Sequence, residues 1–315
     1  MRLAMILVAH LFLSPATGIT SEPIEPIVIP TDLNPTKVSL GRRLFNDPIL
    51  SANNSISCAS CHDFKRGGAD GKSLAIGIHG RKNELNTPSV FNSALNFKQF
   101  WDGRAESLEE QLDGPLHGEN EMASTWVQII QKLQQDPAYL AEFKKVYSSQ
   151  PNENNIRNAI VTFERSLATP DSKFDRFLRG ETHALDGQER EGYRRFKDYG
   201  CIACHQGRNI GGNMFQVFGV MGNIFSDRKK LTRGDLGRFN VTQKESDKHR
   251  FKVPSLRNVA LTAPYFHDGS ASTIEDAVKI MGKYQLGRDL SAKDIELISR
   301  FLRSLTGKTP EGNAR

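Results

Sequence analysis

The chain has 315 residues, of which 25% are charged and 38% hydrophobic, which suits a soluble globular protein of about two ordinary domains. Its formal net charge of +6 comes without a dense Lys/Arg block or an aromatic RNA-binding pattern. That excludes a dedicated nucleic-acid binder and leaves a mildly basic surface able to dock acidic partners.

In chain order, Met1-Arg2 gives a positive start, Leu3 to Leu13 an apolar run, and Ser14-Pro15-Ala16-Thr17-Gly18 a small-residue exit. Residues 1–18 therefore read as a secretory signal peptide, with an uncleaved anchor as the alternative. The run is too short to span a bilayer, and no later apolar stretch is long enough either. Residues 19–36, rich in Pro and polar side chains, read as an extended arm. Leu40 to Phe45 begins a short helix, and Asp47-Pro48 leads into Cys58-Ala59-Ser60-Cys61-His62. A Gly- and Lys-rich loop follows, and helix signals then dominate. Ser107 with Glu110 and Thr125 with Gln128 form capping boxes, Asp136-Pro137 is an N-cap with Pro at the first helical position, and Ile156, Ile160, Phe163 and Leu167 share one helical face. The pattern loosens from Thr169 to Gly187, which places a domain junction near residue 180. A charged helix from Gln188 to Tyr199 feeds Cys201-Ile202-Ala203-Cys204-His205, and residues 206–252 form a long Gly-rich loop. Thr273 caps a helix ending at Met281, and Ser291 with Asp294 caps the last one. Strand alternation is almost absent. The expected fold is all-α: two cytochrome c-like haem domains with long irregular loops, residues 19–180 and 181–315.

The two C-x-x-C-H motifs use all four cysteines. C-x-x-C-H is the attachment site of a c-type haem, in which two thiols bond the haem edge and the adjoining imidazole ligates iron. A four-thiolate zinc site or two redox C-x-x-C pairs is the alternative. With 8 His in 315 residues, a His after both motifs by chance is about one in 1,500. Covalent haem attachment occurs on the outer side of the bacterial inner membrane, so motifs and signal peptide together point to the periplasm.

The second axial ligand decides between electron transfer and catalysis. In the second half the candidates are Met214, Met221 and Met281. Met281 lies far enough beyond His205 to wrap a haem, while a core methionine is the ordinary alternative. In the first half they are His79, His117 and Met122. His79 sits in the flexible Gly77-Ile78-His79-Gly80 and reads equally as a surface residue. Glu121 is a candidate acid or base among several solvated carboxylates, and Trp101 is either core packing or an aromatic relay between haems.

These residues resemble the bacterial di-haem cytochrome c peroxidases from about Leu40 to Leu305. The likeness rests on Leu40-Gly41-Arg42-Arg43-Leu44-Phe45, Asn86-Thr87-Pro88-Ser89-Val90, Phe100-Trp101-Asp102-Gly103-Arg104-Ala105, Gly114-Pro115 with Glu121-Met122, Phe251 to Asn258, and Pro264-Tyr265-Phe266-His267-Asp268-Gly269. The resemblance implies a peroxidatic N-terminal haem with His62 proximal and His79 distal in the resting state. It implies an electron-entry C-terminal haem held by His205 and Met281, whose thioether favours reduced iron. Trp101 would lie between the haems, Glu121 would be the active-site carboxylate and Gln111 would line the same pocket. A calcium site would use Asn86, Thr262 and Pro264, with only Asn86 giving a side chain. The implied activity is reduction of hydrogen peroxide with electrons from a small periplasmic cytochrome c or copper protein, by a homodimer. The stretch from His79 to Asn86 is about one residue shorter than in well-known members. A plain di-haem electron carrier remains an alternative, as does a di-haem enzyme maturing a protein-derived quinone, in which a Tyr replaces the Met ligand; Tyr284 is close in sequence to Met281.

Overall fold

Asn34 starts the first helix: its side-chain oxygen accepts the amides of Thr36 and Lys37, and Pro35 fills the first turn, where its missing N–H is not needed. The computed structural model describes residues 22–226, 228 and 230–309, so the expected signal peptide lies outside the described residues. In the first half, α1 (Pro35–Asn46) leads to the first motif, and two short helices follow, α2 (Leu108–Gln111) and α3 (Asp113–His117). Then come α4 (Trp126–Gln135), α5 (Pro137–Tyr147) and α6 (Glu153–Arg165). Thr125 and Gln128 cap each other's backbone at α4, and Asp136 caps α5 ahead of Pro137, as their spacing predicts. The apolar faces of these helices meet in one core containing Leu40, Leu44, Leu116, Ile129, Tyr139 and Ile160.

The second half repeats the plan. After α7 (Lys173–Leu178), α8 (Gly187–Asp198) runs into the second motif. The long loop holds α9 (Phe239–Thr242) and the only strand pair among the described residues, β1 (Phe215–Val217) antiparallel to β2 (Arg250–Lys252). The chain ends on α10 (Ile274–Ile280) and α11 (Ala292–Arg303). None of the described helices is long and apolar enough to cross a membrane.

The two halves share a device that the haem motifs alone do not reveal. A β-carbon at Gly41 would overlap the Ala159 carbonyl on α6, and one at Gly192 would overlap the Leu297 carbonyl on α11. Each glycine therefore lets its helix cross a partner at backbone contact. Four residues later, Phe45 and Phe196 place their rings 6.2 and 6.4 Å from the rings of His62 and His205. The same two phenylalanines meet Phe163 and Phe301 at 5.3 and 5.2 Å.

Apolar packing does not follow chain order. Ile24 from the arm and Phe174 from α7 belong to the second core, so two segments expected with the first haem unit pack with the other. Asp175 explains why. Its carboxylate accepts the Ile27 amide (3.1 Å) and pairs at 2.7 Å with Arg257 of the Leu256-Arg257-Asn258 block. Both side chains are at most 1% exposed, and Arg257 also donates to the Glu25 carbonyl at 2.8 Å. Next to it, Asn92 of the first half and Asn258 of the second both donate to Thr169 Oγ1, at 2.7 and 2.8 Å. Removing one member of a buried ion pair strands the other charge away from water. Arg257→Met is therefore expected to lower unfolding stability by about 3–5 kcal/mol. A charge deletion in the exposed Arg303–Glu275 pair should cost at most about 1 kcal/mol. Denaturant unfolding of the two holoprotein variants checks this, and equal midpoints would refute it.

Candidate functional site

Each motif is one tight turn. Cys58–Ser60 and Cys201–Ala203 are single 3-10 turns, and the amides of His62 and His205 donate to the carbonyls of Cys58 and Cys201 at 2.9 and 3.0 Å. In both, the two thiols and the imidazole project from one short loop. The four cysteines are half-buried and unpaired. Burial pushes the Cys58 thiol up to about 12 and those of Cys61 and Cys201 to about 11, the opposite of what a reactive redox pair requires. Among the described residues no cysteine joins a metal-sized cluster, which removes the zinc reading.

His62 Nδ1 lies 3.0 Å from the Gly68 carbonyl, and burial lowers the ring's pKa. A neutral ring that donates from Nδ1 leaves the Nε2 lone pair free for a metal. His205 is pushed down to about 4, first by burial, and its buried Nδ1 makes no hydrogen bond of normal geometry.

His205, Cys201 and Cys204 form one wall of a mostly apolar cavity of about 240 Å³. Met281 lines the same cavity, at the point where α10 changes into a π turn over Met281–Gln285. Met214 and Tyr284 do not line it, and Met221 is 64% exposed. An apolar slot with two thiols and an imidazole on one side and a thioether in its lining fits a haem. Trp101 also lines it, its indole N–H donating to the Asn86 carbonyl at 3.0 Å. Asn86, Thr262 and Pro264 belong to the same lining. Asn86 Nδ2 donates to the Lys72 carbonyl at 2.7 Å, which orients its Oδ1, and no described backbone amide takes the Thr262 or Pro264 carbonyl. Three such oxygens suit a hard cation.

The first motif has different company. Residues 75–85 form a narrow hairpin, pairing Ile76 with Lys82, and the Ile76 carbonyl approaches Cys61 Sγ at 3.9 Å. The hairpin is bonded to the segment carrying Glu121: the Ile78 amide donates to the Glu121 carbonyl at 2.8 Å, and Arg81 to that of Glu119 at 3.1 Å. Asn83, which sequence reasoning missed, donates from Nδ2 to Glu121 Oε1 at 2.7 Å. Burial raises the Glu121 pKa above the ordinary carboxylate range, partly offset by Asn83 and by the charge of Arg104. Glu121 is near enough that its charge raises the Cys61 thiol. His79 is exposed near the hairpin tip, with φ 58° and no hydrogen bond or ring contact among the described residues. The other two candidates are committed elsewhere. His117 contacts the Ser124 carbonyl (2.8 Å) and Asp113 (3.3 Å), and Met122 is core. Gln111 is half-buried at the end of α2, beside the segment leading to Glu121.

His267 of the Pro264–Gly269 block bonds Asp235 at 2.8 Å, and Arg228 joins Asp235 to Asp268. Asp235 also accepts the amide and hydroxyl of Thr232, at 2.7 and 3.0 Å. Its oxygens are thus committed, and this cluster is an ion-pair network that ties down the cavity wall.

The profile of the di-haem cytochrome c peroxidase family matches residues 35–183. Cytochrome c peroxidase Ccp of Escherichia coli is 47% identical over 290 residues, 91% of this chain and 62% of that protein, so the chain spans under two thirds of that relative's length. Cytochrome c551 peroxidase of Nitrosomonas europaea is 42% identical over 302 residues, 96% of this chain and 89% of that protein. Among solved structures, a MauG-like protein associated with microbial copper homeostasis superposes with a TM-score of 0.81 at 27% identity, covering 98% of this chain and 99% of that one.

Proposed function

Because the chain belongs to the di-haem cytochrome c peroxidase family, we propose that it reduces hydrogen peroxide to water with electrons from a small periplasmic cytochrome c or copper protein. The overall reaction takes two electrons and two protons per peroxide and yields two waters. When bound, the two haems supply one iron centre that takes electrons singly and one that reacts with peroxide.

One observation carries the division of labour. Met281 and His205 line the same apolar cavity, whereas Glu121 and the His79 hairpin stand beside Cys61 of the first motif. A His/Met pair of ligands suits electron entry, and a buried carboxylate beside the other centre suits proton transfer. His62 and His205 are the proximal ligands, oriented by the two tight turns and by Phe45 and Phe196. Glu121 takes the proton from one peroxide oxygen at its Oε2 and returns it to the other, so that water leaves. Asn83 holds Oε1 and keeps Oε2 for that transfer. Gln111 lines the peroxide side. Trp101, fixed by its bond to Asn86, stands between the two centres. His79 would cap the first centre at rest and be released by a movement of the hairpin tip alone, with the Asn83–Glu121 bond kept. Calcium at Asn86, Thr262 and Pro264 stiffens the seam between the halves. Residues 1–18 direct export to the periplasm, where a homodimer operates.

The test is peroxide-dependent oxidation of a reduced small cytochrome c by the mature holoprotein. Two donor molecules should be oxidised per peroxide. An electron carrier would accept electrons and stop without consuming peroxide.

A further inference from the structure

Lys252 ends β2, next to Phe251, whose ring stacks on His267 at 4.5 Å. Lys252 belongs to the lining of the His205/Met281 cavity and is only 7% exposed. No described residue gives its ammonium a hydrogen bond or an ion pair; only its backbone amide is engaged, donating to the Trp101 carbonyl at 2.8 Å. Desolvation pushes its pKa down to about 8, with no anion to offset the shift. No Asp or Glu is among the cavity's lining residues, and Lys252 is the single Lys or Arg there.

Buried charges in folded proteins are paired, because an ammonium taken out of water needs a counter-charge. Here the protein supplies none, so the anion has to arrive with the occupant. A haem carries two propionate carboxylates and no other anionic group at its edge. We propose that the Lys252 ammonium pairs with a propionate of the haem attached to Cys201 and Cys204, and that this pairing raises the reduction potential of that centre. The inference rests on the reading of this cavity as the electron-entry haem site. A fixed positive charge beside an iron centre favours the form with one more electron. Lys252 is thus a positioning residue for electron entry, untouched by peroxide.

The test is spectroelectrochemical titration of wild-type, K252M and K252R holoproteins, each first shown to carry two haems per chain. K252M should make the Met281-ligated haem harder to reduce by about tenfold, 59 mV for one electron, and leave the His62 haem in place. K252R should remain near wild type. A K252M shift under about threefold, or an equal shift at both haems, overturns the pairing. Should K252M fail to load haem, the crystal structure of the wild-type holoprotein decides. Lys252 Nζ within about 3.2 Å of a haem carboxylate oxygen upholds the proposal, and a carboxylate bonded elsewhere overturns it. Wild-type peroxide turnover reports separately on the enzyme: turnover without a K252M shift removes the pairing and keeps the peroxidase, and a shift without turnover does the reverse.

Discussion

Glu121→Gln is expected to lower peroxide turnover by about 10²–10⁴-fold, with two haems per chain and both reduction potentials near wild type. The substitution keeps the shape of the side chain and its hydrogen bond from Asn83, which reaches Oε1 at 2.7 Å. What it removes is the oxygen that accepts and returns a proton. The effect should have a pH signature as well. Burial raises the Glu121 pKa, and a proton acceptor must start ionised, so wild-type turnover should fall as pH drops through that raised value. Asn83 counteracts the shift, so Asn83→Ala should move the acid limb to higher pH without abolishing turnover. A Glu121→Gln protein with near-normal turnover would remove Glu121 from the mechanism. An acid limb unmoved by Asn83→Ala would remove Asn83.

Met281→His is expected to make the second haem harder to reduce by at least about a hundredfold, on the order of 120 mV for one electron. A thioether stabilises reduced iron, and an imidazole in its place favours the oxidised state. The weak far-red absorption of Met-ligated ferric haem should vanish in the same variant. Electron entry from the donor should then fail, and the first centre, still capped by His79, should stay closed to peroxide. The π turn that starts at Met281 presents this residue, not Tyr284, to the cavity shared with His205. That geometry favours a peroxidase over a quinone-maturing enzyme. A far-red band surviving in Met281→His would show that another residue ligates the iron.

The chemistry-bearing residues were legible because their chemistry is local. Two thiols and an imidazole must sit on one turn, so Cys58 to His62 and Cys201 to His205 announce themselves by spacing. Helix starts at Ser107, Thr125 and Asp136 are likewise local, since a cap involves residues two or three apart. What stayed hidden depends on tertiary contact. Asn83 is one polar residue in a polar loop until its amide meets Glu121, 38 residues away. Lys252 reads as one lysine of a charged stretch until burial leaves it without an anion. The arm at Ile24 and the helix at Phe174 join the second core because Asp175 and Arg257 pair across 82 residues of sequence, and no periodicity encodes that. One signal was available. Gly41 to Phe45 and Gly192 to Phe196 repeat a glycine four residues before a phenylalanine ahead of each motif, the mark of a helix that crosses at backbone contact and then sets a ring near the motif histidine.

Peroxide consumption by the mature holoprotein, measured fully oxidised and then half-reduced with ferrocytochrome c supplied, tests the division of labour most directly. Turnover that appears only after half-reduction, at the centre bearing His62, is the predicted result. Absence of turnover in both states, with both haems bound, would contradict it.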